Sequence, residues 1–275
     1  NDPYSLDESQ LDWTIYDSDP NSWRTRYVGE ALQNAFNLSI NGFDHVIGNS
    51  NSAPAWLKTN GQHNGGGTLI SGGESEFSEF LVAFLNGMES RYGIEVTAIS
   101  PTNEPDYEVS YESMNTTPSE LSSILINLNS RLANSGLDHI KIVSPECFRV
   151  ESQNSGTSAT NYINALFHNY AVEEAFDIVG THTYADPNHN ANWNALKVAA
   201  NGKPVWVTES ANLNSTDQSM TDAANYIKWI LRGFNEGGVT GYMFHLFYEE
   251  ADSDGYSSLV AWLSLIHISE PTRPY

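Results

Sequence analysis

Cysteine, basic side chains and long apolar runs are what this 275-residue sequence has least of, and each scarcity closes off a class of function. Cys147 stands alone, so no internal disulfide forms; after the apolar run "HIKIVSPE" it reads as a small buried hydrophobe rather than a nucleophile. Twelve Lys and Arg against 34 Asp and Glu give a formal charge of −22, which repels nucleic acid and anionic membrane surfaces. Such acidity suits a solvated surface in a salty or acidic medium; the other reading is a cationic substrate. No apolar run approaches the roughly 20 residues that span a bilayer, so no membrane span is expected. The N-terminus "NDPYSLDESQ" has neither an initiator methionine nor a signal peptide, as expected of a mature product or a fragment. No glycine-rich phosphate loop follows a strand, and "HNGGG" at 63–67 lacks the flanking elements and the lysine that would give it meaning. His182, His189 and Glu146 are imaginable metal ligands, but "HTYADPNHN" lacks the helical two-histidine spacing, so neither metal nor cofactor is expected.

Two kinds of segment alternate through the rest. Runs rich in β-branched residues at 43–48, 96–100, 139–144, 177–184, 203–209 and 240–247 read as buried parallel strands. Between them lie helical patterns. "SEFSEFLVAFLNGMESRYG" places Phe77, Phe80, Leu81, Phe84 and Met88 on one face and stops at Gly93. "TPSELSSILINLNSRLANSG" begins with Thr117 as N-cap and Pro118 at the first helical position, and ends at Gly136. "TNYINALFHNYAVEEAF", "NWNALKVAANG" and "TDAANYIKWILRGFNEGG" continue the pattern, and a further helix from about Trp23 to Phe36 precedes the first strand. Strand-then-helix repetition of this kind predicts an α/β fold with a parallel sheet, doubly wound or closed into a (β/α)8 TIM barrel. The missing phosphate loop weakens the nucleotide-binding version of the open sheet.

In a barrel, function gathers at the C-terminal ends of the strands, and here those ends are polar: Asn49, Asn103, Glu104, Glu146, His182, Tyr184, Glu209 and His245. A pocket explains this better than eight structural coincidences. Glu104 sits in "ISPTNEPDY" between two prolines, and no lysine or arginine lies within ten residues of it. Glu209 closes the apolar run "KPVWVTE" three strands later. Barrel strands lie about 45° apart, so the two side chains are expected about 135° apart, facing each other across the mouth. Two carboxyls so placed are what glycoside hydrolysis asks for: one protonated to donate to the leaving oxygen, the other ionised to attack the anomeric carbon or to activate water. A gap of about 5 Å means a covalent intermediate and retention, a wider one inversion. Glu146 is read as binding substrate or anchoring a loop. Trp56 in "APAWLKTNG" either stacks on a sugar ring or is a buried structural tryptophan. Lys58 and Arg149 are the best candidates for reading an anionic sugar substituent.

"ISPTNEPDY", "VWVTES" and "NSAPAWLKTNG" resemble the clan of retaining (β/α)8 glycoside hydrolases, most of all glycoside hydrolase family 30 and the related agarase and porphyranase family 86. The resemblance rests on an Asn-Glu-Pro ending the fourth strand and a Glu ending the seventh. By it Glu104 matches the acid/base, Glu209 the nucleophile and Asn103 the asparagine that bonds the sugar 2-hydroxyl. His182 and Tyr184 match positions lining the catalytic subsite, with Tyr184 placed to donate to Glu209. Asn49, Trp56 and His245 complete the expected substrate-binding set, with His245 where clan members usually carry a tryptophan.

The same resemblance makes the run at 43–48 the third strand, so residues 1–263 are expected to form a partial catalytic barrel lacking strands one and two. The tail "SLIHISEPTRPY", 264–275, resembles a translated adapter rather than native sequence. Family members usually carry a β-sandwich after the barrel, and without it apolar surface is expected to be exposed. The implied activity is cleavage within a β-linked polysaccharide, outside the cell or at its surface. Agar-type galactan leads among the substrates, with xylan, β-1,6-galactan and β-glucan as rivals. A non-catalytic carbohydrate-binding barrel, or an inactive fragment, is the alternative; it keeps the polar mouth and gives the glutamates structural roles only.

Overall fold

A computed structural model of the chain describes residues 18, 23–40, 42–151, 157–184, 191–211, 220–245, 248–249 and 260–261. The segment before residue 18, His189, Phe247 and the tail 264–275 lie outside the described residues. In chain order the elements are α1 (Trp23–Leu38), β1 (Ile47–Asn49), a 3-10 turn (Ala55–Leu57), α2 (Glu74–Tyr92), β2 (Ala98–Ser100), α3 (Pro118–Asn134) and β3 (Lys141–Cys147). They continue with α4 (Ala159–Leu166), α5 (Tyr170–Glu173), β4 (Ile178–His182), α6 (Trp193–Ala199), β5 (Val205–Glu209), α7 (Met220–Gly237) and β6 (Val239–Tyr242), and a short pair, β7 (Tyr248–Glu249) and β8 (Val260–Ala261). The architecture is that of a (β/α)8 barrel, of which the described residues supply six parallel strands, β1 to β6. The chain divides into two units, Asn1–Ser144 with Ala165–Asp177 and Pro145–Asn164 with Ile178–Tyr275.

In the first unit β1, β2 and the start of β3 pair in parallel, with Asn49 opposite Ser100 and Ile99 opposite Ile142. Gly48 in the middle of β1 is a packing requirement: a Cβ there would lie 3.0 Å from the Phe84 ring and 3.2 Å from Ile99. Helix α3 shows why its sequence folds locally. Thr117 Oγ1 accepts the Glu120 N–H at 3.3 Å while Glu120 Oε2 accepts the Thr117 N–H at 2.8 Å, a closed capping box ahead of Pro118. Gly136 follows the helix at φ 72°, where only glycine is unstrained. Leu121, Ile124, Leu125, Leu128 and Leu132 form its fully buried stripe, packed on α2. Arg131 and Glu79 tie the two helices at 2.7 Å. Asp177 finishes the unit by accepting the Ile142 N–H at 2.9 Å and Lys141 Nζ at 3.0 Å.

In the second unit β4, β5 and β6 pair in parallel, and the ladder slips between Thr181 and His182 so that His182 lies opposite Glu209. A slip of this kind re-aims the side chains beyond it. Helices α6 and α7 pack on each other, and α7 leaves Ile227, Leu231 and Phe234 exposed on its other side.

Two expectations change. The pattern over 160–176 is not one helix: α4 stops at Leu166, and Asn169 caps α5 by accepting the Ala171 N–H at 3.1 Å. The apolar period survives the break because Val172 and Phe176 return to the core. The last strand ends at Tyr242 rather than 247, because after Met243 bonds Val207 O at 2.8 Å the chain turns toward Ser210.

Leu125→Ala leaves a cavity in the fully buried stripe of α3 and is expected to cost about 2–5 kcal/mol. Thr117→Ala opens the capping box and is expected to cost about 1 kcal/mol. Urea unfolding followed by circular dichroism measures both.

Candidate active site

The first unit builds its polar end from β1 and β2. The ladder runs one residue beyond the strands through Ser50 N–H to Ser100 O at 3.1 Å, and the chain then leaves β2 through Pro101, Thr102, Asn103, Glu104 and Pro105. This exit is closed on itself. Ser100 Oγ donates to Thr102 O at 2.8 Å, Glu104 O accepts the Tyr107 N–H at 2.9 Å, and Pro105 O accepts the Thr116 N–H at 3.1 Å. Glu104 is 5 % exposed and sits at φ 44°. A side-chain-bearing residue at positive φ costs on the order of 1–3 kcal/mol, which surrounding structure must over-determine. Asn49 Nδ2 donates to Asn103 Oδ1 at 2.8 Å, so the two asparagines expected to bind substrate form one hydrogen-bonded pair.

The second unit brings together Glu146 from β3, His182 from β4, Tyr184 just beyond it, and Glu209 from the end of β5. Tyr184 donates its hydroxyl to Glu209 Oε2 at 2.8 Å, the bond expected from the sequence. The Tyr184 ring is held in place by Phe148 at 5.7 Å, by the edge of His182 at 5.6 Å and by His245 at 6.2 Å. His182 is fully buried: its Nε2 lies 3.4 Å from Glu146 Oε2 and its Nδ1 3.7 Å from Glu209 Oε2. Its ring therefore meets carboxylates on both sides. Glu146 is 1 % exposed and stands at φ 63°. Glu209, with its side chain 23 % exposed, is the carboxylate of this group open to solvent.

Other expected residues find different surroundings. His245 comes three residues after β6, anchored by its N–H to Ser210 O at 2.9 Å. Trp56 lies half-buried in the 3-10 turn with its indole N–H enclosed and without a partner. Lys58 does not reach for a sugar substituent: it is 4 % exposed, and its Nζ donates to Ser113 O at 2.6 Å and Ser52 Oγ at 2.9 Å. Arg149 lays its guanidinium 5.7 Å over the Phe148 ring. Ser210 was missed as a site residue although it follows Glu209 directly. Its buried hydroxyl takes the Thr183 hydroxyl at 2.8 Å and joins those of Tyr226 and Tyr242, fixing the backbone just after Glu209. Burial, reinforced by Tyr242, pushes the Tyr226 phenol far up, so it serves as a neutral partner.

Comparison with known proteins identifies the family and the fold. The model of the family described as glycosyl hydrolase catalytic core matches residues 71–262. Glucuronoxylanase XynC of Bacillus subtilis is 26 % identical over 204 residues, covering 72 % of this chain and 44 % of the relative. The crystal structure of SrfJ from Salmonella typhimurium superposes with a TM-score of 0.74 at 18 % identity, covering 93 % of this chain and 55 % of that one. The catalytic domain of GH30 xylanase C from Talaromyces cellulolyticus gives a TM-score of 0.66 at 18 % identity, covering 88 % and 53 %. The chain thus spans about half the length of the proteins it matches.

Lys58 supplies a test of the first unit's polar lining. Burial lowers its ammonium from 10.5 to about 8. Between those two values the unfolded chain holds a proton that the folded chain does not, so stability rises with pH across that window. Below it both states are charged and the cost of burying the charge is present in full. The stability of the native protein relative to Lys58→Met, from denaturant midpoints, is expected to climb through this window and then level off; a flat difference contradicts the assignment.

Proposed function

As the chain belongs to the glycosyl hydrolase catalytic core family, we propose that it hydrolyses β-glycosidic bonds inside a polysaccharide chain with retention of configuration. Glu104 is the acid/base and Glu209 the nucleophile. The observation that carries this reading is the state of Glu209: a partly exposed carboxylate at the C-terminal end of a parallel strand, with the Tyr184 hydroxyl 2.8 Å from Oε2. The phenol fixes one oxygen of Glu209, leaving the other to attack.

In the first half-reaction Glu209 bonds to the anomeric carbon as the glycosidic oxygen leaves with the proton of Glu104. In the second, Glu104 takes a proton from water as the water oxygen replaces the Glu209 ester. Two carboxyls and a water suffice, so no cofactor or metal enters. Asn103, paired with Asn49, is assigned to the sugar hydroxyl beside the reacting carbon, with Trp56 and His245 as further contacts. Xylan leads as substrate because two of the similar proteins carry xylanase names. Agar-type galactan, β-1,6-galactan and β-glucan follow. Residues 1–263 are the catalytic part, and polysaccharide of this size places the work outside the cell or at its surface. Among the described residues no helix is long and apolar enough to cross a membrane.

Purified protein is tested on xylan, agarose, β-1,6-galactan and β-glucan by release of reducing ends. On whichever is cut, Glu209→Ala is expected to lose at least about 10⁴-fold in kcat, and azide to restore turnover as a glycosyl azide of inverted configuration. Turnover by Glu209→Ala without azide, or no glycosyl azide, removes Glu209 from the nucleophile role. Binding to a polysaccharide without cleavage of any of the four favours the non-catalytic reading.

A further inference from the structure

The geometry points to Glu146 as a positioning residue that keeps His182 doubly protonated, so that an imidazolium N–H faces Glu209 throughout the reaction; this rests on Glu209 being the nucleophile. Glu146 has features that the fold alone does not require. It is a glutamate at φ 63° with 1 % exposure, and its Oε1 is enclosed with no hydrogen-bond partner. A buried carboxylate in a strained backbone conformation, half of it unsatisfied, is costly and marks a functional constraint more often than a structural one. Its enclosure also keeps it off any sugar, which excludes the substrate-binding role read from the sequence. What it meets is His182, at 3.4 Å from Oε2 to Nε2.

His182 meets a second carboxylate on its other edge, Glu209 Oε2 at 3.7 Å from Nδ1. An ionised carboxylate only accepts hydrogen bonds, and a neutral imidazole carries a single N–H. A neutral ring would therefore set a nitrogen lone pair against one of the two carboxylates, whereas the imidazolium hydrogen-bonds Glu146 and turns its second N–H toward Glu209 as an ion pair at 3.7 Å. Within the second unit the titratable groups facing the ring include Glu146 from β3, Glu209 from β5 and Tyr184 from the end of its own strand, with His245 beyond Tyr184. Tyr184 and His182 address the same Glu209 oxygen, so that oxygen is stabilised twice and Oε1 is left to bond the sugar.

The double displacement explains why two carboxylates are needed. When Glu209 Oε1 bonds to the anomeric carbon and the bond to the leaving oxygen breaks, Glu209 becomes a neutral ester and the imidazolium loses one counter-charge. Glu146 remains, so the proton stays on His182. When water displaces the ester, the electron pair returns to Glu209, which again meets an N–H rather than a lone pair. No proton enters or leaves His182 in either half.

The test reads the ring directly. In ¹⁵N-labelled full chain, the His182 side-chain resonances are identified by their loss in His182→Gln and recorded at neutral pH. Both ring nitrogens are expected at imidazolium positions. In Glu146→Gln, which keeps size and a hydrogen-bond acceptor, the ring is expected to shift to a neutral tautomer, and kcat to fall about tenfold or more with KM within about twofold. A neutral ring in the native protein, or an imidazolium unchanged by Glu146→Gln, overturns the proposal, and the first needs only the assignment variant His182→Gln to fold. If His182 responds as expected while Glu209→Ala gives no glycosyl azide, the positioning network stands and the nucleophile assignment falls instead.

Discussion

Taking a carboxylate out of water is unfavourable unless something compensates it, and this protein does so at the ends of successive strands. Glu104 and Glu146 are nearly inaccessible and both are held at positive φ, Glu104 four residues past the end of β2 and Glu146 near the end of β3. Among the described residues the other side-chain-bearing residue at positive φ is Asn201, in a turn. Two buried glutamates account for the rest of that small set. The acidic composition sharpens the point, since Arg131, Lys141 and Arg232 are engaged with Glu79, Asp177 and Glu236 instead. At Glu146 the compensation comes from a histidine.

That choice shapes the second unit. The slip in the β4–β5 ladder brings His182 opposite Glu209, and the Tyr184 ring is wedged among Phe148, His182 and His245 so that its hydroxyl meets the same carboxylate. Behind Glu209 the Ser210 hydroxyl gathers Thr183, Tyr226 and Tyr242, joining β4, β5, β6 and α7 through neutral groups. The Glu209 carboxylate is thus fixed from two sides: its oxygen by Tyr184 and His182, its backbone by the residue that follows. Positioning to a few tenths of an ångström is what such chemistry requires.

The strand–helix alternation and the N-cap at Thr117 were legible because each depends on neighbours in sequence, and the Tyr184–Glu209 bond because the family resemblance set one strand end beside the next. The roles of His182 and Glu146 were not. Pattern reading assigns a polar strand-end residue to the open mouth, whereas His182 is fully buried between two carboxylates; the extra residue of the slipped ladder is Thr208 in β5, and nothing in "KPVWVTE" announces it. Lys58 was misread for a similar reason: a lysine in a loop is normally solvated, and only the return of Ser113 beside it, 55 residues away, supplies acceptors that allow it to be buried. The break between α4 and α5 left the apolar period intact and so escaped notice.

The central claim is that Glu209 becomes covalently attached to sugar. Incubation with a 2-deoxy-2-fluoro glycoside bearing a good leaving group, matched to the polysaccharide that is cut, traps such an ester because the fluorine slows its hydrolysis more than its formation. Peptide mass spectrometry is expected to find one adduct, on Glu209 within "VWVTES". An adduct on Glu104 or Glu146, or inactivation without any adduct, contradicts the account.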